Sequence, residues 1–414
     1  MSFRLRLLSF VFVAFYLIFI IFSIEHVCSI FSGVEGYQCA NNSYAAYAFG
    51  AFLLLLLGFS IPILGRSYSA CLLWLMYYFH VAPSILIFSR LSAASFEEFI
   101  IFSLMVFLSY LILVYVARLK IPKIGLVYFK SGLNHWLLFF VACFFVFVVI
   151  NGLGFNFNPP SIDDVYDLRA EYKEKVTPLV GYIAVLIGYF LSPVFIVLSV
   201  ILFGSGHNKR AVLFLCSAVF LSYLIYSSAG FKSVAFMPVV TLLACLLFRR
   251  VENIGFSLNC LFLLLLVMAW VGYVFFDFSI LLEHWVRRAL IVPGMTVAYF
   301  YDYSVVYGFS ADVAAPNVIS KMYFGTDGSA NAGFIGDGIA RFGISLFWIN
   351  ILLLLIFVKL PELLLGSLEG PYVPALFIST AYALSNSSIT TVFLTYGFLP
   401  LLIFLYFYKR ILVK

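Results

Sequence analysis

At 414 residues, 64% of them hydrophobic and only 10% charged, the chain lies far from soluble domains, which are about 45–50% apolar and about 25% charged. An aqueous globular fold is excluded. The apolar stretches also lack the alternation of a membrane β-barrel, and their lengths suit helices crossing a ~30 Å hydrocarbon core. The sequence predicts an all-α polytopic integral membrane protein, one transmembrane helical domain over 1–414. Its net charge of +6 speaks of membrane orientation, with no nucleic-acid partner expected.

In chain order, Arg4 and Arg6 precede a long apolar core with no small-residue cleavage site after it. An uncleaved first span is therefore expected rather than a signal peptide. Cys28 and Cys39 share one polar loop and would pair if that loop faces an oxidising compartment. The other five cysteines fall in apolar runs, where a thiol is usually a small buried hydrophobe. No CxxC pair is present, so no metal site is expected.

Twelve spans are predicted, at 7–24, 44–64, 68–89, 99–117, 136–153, 178–203, 211–227, 233–248, 255–276, 344–360, 372–388 and 391–408. His80, in the third, is expected to pack or hydrogen-bond in the interior. An even count puts both termini on one side, and basic residues decide which side that is. With the termini inside, fifteen basic and three acidic residues lie inside (+12), and nine and fifteen lie outside (−6). Both termini are thus expected to be cytoplasmic, with two long outer segments, 154–177 and 277–343.

The first outer segment contains "DDVYDLRAEYKEK". Glu171 and Lys175 are an i,i+4 pair, as on a short solvated helix, while Arg169 beside Tyr172 offers a cation and an aromatic ring to a sugar or phosphate. Around "SSAGFKSVAF" both flanking spans are short, which places Lys232 at or slightly below the outer membrane surface. A cation at that depth is a functional candidate or a snorkelling side chain.

In the second segment, "FSILLEHWVRRALIVPG" drawn as an α-helix gathers Glu283, His284, Arg287 and Arg288 within an arc of about 140°. Leu281, Leu282, Trp285, Val286 and Ala289 take the other side, and Pro293 with Gly294 would end the helix. The pattern predicts an amphipathic helix at the membrane surface with Trp285 at headgroup depth. Its guanidinium forks suit a diphosphate, and they equally suit anionic lipid headgroups. Further on, "GTDGSANAGFIGDGIARFG", 325–343, has no nucleotide-loop spacing. Its glycine density fits a close-packed re-entrant or cavity-lining segment. Asp337 and Arg341, an i,i+4 pair, are expected to bond to one another.

Taken together, Arg169 in an acidic tyrosine-containing loop, "HWVRRALIVPG", and "NAGFIGDGIARFG" leading into a late span resemble the Wzy-type oligosaccharide repeat-unit polymerases of bacterial envelopes. In the last motif Asp337 stands for the family's acid, and Arg341 stands where Asn is common. The arginine-plus-glycine motif of some relatives is not reproduced. The resemblance implies a glycosyltransferase-C-like membrane enzyme in the bacterial inner membrane, active at the periplasmic face. It implies polymerisation of undecaprenyl-diphosphate-linked repeat units of O-antigen or a similar surface polysaccharide, without a cofactor. A chain-length regulator protein and the lipid bilayer are the further partners.

The expected catalytic residues are His284, Arg288 and Arg169, and the expected substrate-binding residues are Arg287, Lys232, Tyr172, Trp285 and Arg341. The base stays open among His284, Glu283, Asp302 and Asp337. Two other readings share much of this chemistry: a flippase or transporter of lipid-linked oligosaccharides, and a ligase taking glycan from the same carrier.

Overall fold

The computed structural model describes every residue except 1, 35, 38, 40–43, 91–94, 120–134, 156–159, 161–164, 309–314, 326–327, 332, 367 and 413–414. Asp163 and Asp164 of "DDVYDLRAEYKEK" and Asp327 of "GTDGSANAGFIGDGIARFG" therefore lie outside the described residues. The architecture is all-α. In chain order the helices are α1 Ser2–Phe31, α2 Tyr44–Ser60, α3 Tyr68–Phe88, α4 Phe96–Arg118, α5 His135–Leu153, α6 Val165–Lys175, α7 Pro178–Gly204 and α8 Asn208–Ala229. There follow α9 Lys232–Arg250, α10 Ile254–Phe276, α11 Leu281–Tyr307, α12 Ala315–Phe324, α13 Gly333–Phe342, α14 Trp348–Leu365, α15 Val373–Asn386, α16 Ile389–Leu394 and α17 Phe398–Leu412. Among the described residues, eleven helices are long and apolar enough to cross a membrane, α11 among them.

The chain divides into two compact units, one of Met1–Pro122, Glu252–Pro361 and Ala381–Ile389, the other of Lys123–Val251, Glu362–Thr380 and Thr390–Lys414. In the first unit α3 is buried on nearly all sides, as expected of a helix that is apolar all round. Phenols join it to its neighbours by closing backbone carbonyls: Tyr16 Oη donates to Tyr78 O at 2.8 Å, and Tyr77 Oη donates to Leu54 O at 3.0 Å. Tyr78 Oη donates to Asn259 Oδ1 at 2.8 Å. At the other end of the unit, the buried Lys359 donates to the carbonyls of Ala117 and Leu119, each at 2.8 Å. Its charge thus rests on the negative C-terminus of α4.

In the second unit α7 is the central, mostly buried helix, packed against α8 and α9. Ser192 Oγ lies 2.8 Å from Ser222 Oγ, and Ser199 Oγ donates to Ala211 O at 2.8 Å.

Three segments are π-helical: Tyr77–Val81 in α3, Ile187–Leu191 in α7 and Leu281–Ile291 at the start of α11. Each is followed two residues on by a proline, Pro83, Pro193 or Pro293. Proline brings no N–H, and its ring strikes the carbonyl four residues back. A π turn bonds to the carbonyl five back, as Ala82 N–H does to Tyr77 O and Val292 N–H to Arg287 O. The wider turn lets the helix run on through the proline.

This corrects the expectation that Pro293 and Gly294 end the helix at 292. Instead α11 continues to Tyr307. Both of its halves nevertheless touch one connection: Arg287 Nη1 donates to Tyr37 Oη at 2.8 Å, and Tyr299 Oη donates to Gly36 O at 2.8 Å. Twelve helical residues span about 18 Å, so the connection runs alongside α11 over that length. Close approach is possible because Gly294 has no side chain: a Cβ there would sit 2.7 Å from Ile87 Cγ2 and 2.9 Å from the Pro83 backbone. Gly294→Val is expected to destabilise the protein by about 1–3 kcal/mol, read as a lowered thermal midpoint in detergent. Gly272→Ala, whose nearest contact is 3.6 Å away, should leave that midpoint unchanged.

Candidate functional site

The first unit carries the π-helical start of α11. On an i→i+5 helix, residues four and five apart share a face, so the sequence sorts differently from the α-helical drawing. Leu282, Val286, Leu290 and Ile291 are buried, and Arg287 is buried with them. His284 and Arg288 are exposed, while Glu283, Trp285 and Ala289 are half-buried. Arg287 therefore leaves the expected four-residue polar face. Its Nε donates to Glu283 O at 2.6 Å, its Nη1 to Tyr37 Oη at 2.8 Å, and its guanidinium carbon lies 4.3 Å from the centroid of Phe31. A buried cation needs partners of this kind, and these fix the segment against the 31–37 connection. What remains outward is an imidazole and a guanidinium one π turn apart.

That connection is closed by a Cys28–Cys39 disulfide, the pairing the sequence allowed. Beside it, Glu25 bonds to Arg90 Nη2 at 2.7 Å and accepts from Tyr47 Oη at 2.6 Å. This cluster leaves little trace in the sequence. Its only signal was an acid near the end of the first span and a lone arginine after the third.

The glycine-rich segment forms α13, with Gly333, Phe334, Ile335, Gly336, Gly338 and Ile339 buried. Gly333, at φ +56°, sits where a Cβ would be 2.5 Å from Ser385 O and 2.6 Å from His80. The Ile335 N–H donates to His80 Nε2 at 3.4 Å, and the rings of His80 and Phe334 are 4.9 Å apart. Asn350 Nδ2 donates to Phe334 O. The segment is thus close-packed within the unit, and His80 packs and hydrogen-bonds as expected.

Arg341 Nε meets Asp337 Oδ1 at 2.7 Å, the ion pair the spacing foretold. Burial pushes the Asp337 carboxyl above the usual carboxylate range, against the pull of Arg341 and of the Ile389 backbone.

In the second unit three expected residues come together. Helix α6 lies on the turn between α8 and α9: Arg169 Nε donates to Gly230 O at 3.1 Å, two positions before Lys232. The Tyr172 ring meets Phe231, the residue before Lys232, edge-on at 5.2 Å. Gly230 closes α8 at φ +67°, and a Cβ there would meet Arg169 Cγ at 3.3 Å. Burial, and then the neighbouring Tyr396, raise the Tyr172 phenol above its usual range. Glu171 and Lys175 form their ion pair on the exposed side of α6.

Fold and site together define a multi-pass helical membrane protein with cations gathered beside aromatic rings at helix ends. No family model, no curated protein and no solved structure matches the chain.

Tyr37→Phe should leave the buried Arg287 without its phenol and cost about 1.5–3 kcal/mol, measured as a fall in thermal midpoint. Asp337 should show a pH signature. A carboxyl whose pKa is raised by folding holds its proton after the unfolded chain has released it. Stability must then decline as pH rises from the ordinary carboxylate value, ~3.9, through the raised one. Melting curves across that window are expected to show the decline in the native protein and its absence in Asp337→Asn.

Proposed function

We propose that this chain polymerises lipid-linked oligosaccharide repeat units. It transfers the growing glycan from undecaprenyl diphosphate to a sugar hydroxyl of the next unit, at the periplasmic face of the bacterial inner membrane. The observation that carries this reading is the exposed His284–Arg288 pair on a π-helical segment whose other arginine is locked inward. π segments recur at functional sites. A guanidinium binds phosphate oxygens in bidentate fashion and stabilises a departing diphosphate. An imidazole one turn away is a group that can accept the proton of an attacking hydroxyl. Arg287 acts as a positioning residue, through Tyr37 and Phe31.

In the second unit Arg169 and Lys232, with Tyr172 beside them, offer the same chemistry of phosphate and sugar. Trp285, half-buried, is left to pack against sugar or lipid, while Arg341 is already committed to Asp337. The Cys28–Cys39 disulfide supports placing this end of the first unit in an oxidising compartment. A donor already activated by its diphosphate needs no ATP there.

Purified protein given a lipid-linked repeat unit without ATP is expected to produce a ladder of chain lengths. Arg288→Ala should lower polymer by about 10²-fold or more, the scale of losing one charge-stabilising donor, while inserting and melting like the native protein. Full-length polymer from that variant would remove the assignment. A single transfer to another acceptor would indicate a ligase, and movement without bond formation a flippase.

A further inference from the structure

At the end of the first unit away from the Cys28–Cys39 disulfide, three helix termini meet, and two arginines stand on them. Phe10 of α1 meets Phe59 of α2 edge-on, with ring centroids 6.4 Å apart. Arg6 lies one turn before Phe10 on the same side of α1, and Ser60 follows Phe59 as the last residue of α2. Arg118, the last residue of α4, donates through Nη2 to the Ser60 carbonyl. Arg6 is close enough for the two guanidiniums to repel one another, and both are exposed. From Arg6 to Cys28, α1 runs about 33 Å, a length that sets the arginines and the disulfide at opposite edges of a ~30 Å hydrocarbon core.

Neither arginine forms an ion pair among the described residues. The stretch 120–134, outside the described residues, carries Lys120, Lys123 and Lys130 and no acid, so it brings only further positive charge. Glu252 precedes α10, but α10 meets α1 at Phe12, whose ring lies 5.7 Å from that of Phe256. Phe12 is about 160° round α1 from Phe10, so that acid comes in on the other side. The C-terminal carbonyls of α4, which attract a cation, are already served by Lys359 at Ala117 and Leu119. Like charges held side by side cost energy that an anion between them removes.

We propose that Arg6 and Arg118 form a binding site for the headgroup phosphate of an anionic phospholipid. Guanidinium forks match phosphate oxygens in bidentate fashion, and Arg118 has spent one of its five N–H donors on Ser60. The surroundings favour a lipid over a free anion. Phe59 and Tyr115 are exposed, Tyr115 lying one turn deeper along α4 on the side of Arg118, so acyl chains can lie along rings beside the held phosphate. The lipid would join the ends of α1, α2 and α4, in the leaflet opposite the disulfide. The site is separate from the His284–Arg288 face and does not depend on the polymerase reading.

The test is native mass spectrometry of full-length protein released from detergent, titrated with phosphatidylglycerol, phosphatidylcholine or inorganic phosphate. The first phosphatidylglycerol should bind at least tenfold more tightly than phosphatidylcholine. Arg6→Gln and Arg118→Gln should each weaken it at least threefold, and the double variant at least tenfold. Removing equal charge elsewhere, with Arg249→Gln and Arg250→Gln at the exposed end of α9, should leave that affinity unchanged. Equal binding of the two lipids, as large a loss from the Arg249 and Arg250 pair, or displacement of the lipid by an equal concentration of phosphate would each overturn the site. Arg6→Gln keeps the Arg118–Ser60 contact, so its threefold loss decides the matter even if Arg118→Gln does not fold.

Discussion

Inside a bilayer, no backbone polar group can turn to water for its partner, and this requirement governs where the chain places its prolines. Pro83, Pro193 and Pro293 each stand two residues after a π-helical segment, where i→i+5 bonding takes the carbonyl out of the ring's way. Pro238 and Pro361 sit within helices that show no such segment, so the device is used selectively. Where it is used, it carries the chemistry-bearing side chains. Tyr77, Tyr78 and His80 sit on the first π segment, Tyr189 on the second, and His284, Arg287 and Arg288 on the third. Widening a turn changes which residues share a face, and that change separates the two adjacent arginines.

The separation has an energetic logic. A guanidinium cannot shed its proton at any relevant pH, so burial demands partners rather than neutralisation. Arg287 has a phenol, a carbonyl and an aromatic face. Arg288, held by the same segment, stays exposed. One cation thus fixes the geometry while the other stands at the surface, within reach of a ligand. Lys359 obeys the same rule at the other end of the unit, where two carbonyls of α4's terminus hold it.

Much of this was legible in the residues. Apolar run length gave the helical membrane class and ten of the eleven helices long and apolar enough to cross a membrane, α11 being the one it missed. The i,i+4 spacings gave the Asp337–Arg341 and Glu171–Lys175 pairs, and a shared loop gave the Cys28–Cys39 bond. Arg169 and Tyr172 stand together in one motif and Lys232 in another, and the structure packs the first two against the turn that precedes Lys232. What failed was the rotation of the 281–291 segment. A 100° step per residue assumes an α-helix, and "VPG" reads as a stop under the same assumption. A proline after an unbroken apolar run signals either a helix end or a π turn, and local sequence does not separate them. The choice is made by packing, here Gly294 against Pro83 and Ile87. The Glu25–Arg90–Tyr47 cluster was hidden for another reason: its members are far apart in sequence and meet only through tertiary contact.

The glycine-rich stretch shows how composition and chemistry part company. Six glycines in 325–343 suggest mobility or a phosphate-binding loop. In α13 two of them, Gly333 and Gly338, serve contact instead, letting the helix backbone approach His80, Asn350 and the Ser385 carbonyl more closely than any side chain would allow. A helix so confined cannot reorient Arg341 toward a ligand without leaving Asp337 buried and unpaired, which costs more as the carboxyl ionises. Arg341 is therefore better understood as the group that makes a carboxylate tolerable in a tight interior. Arg288, by contrast, stands exposed on the π segment, where a ligand can reach it.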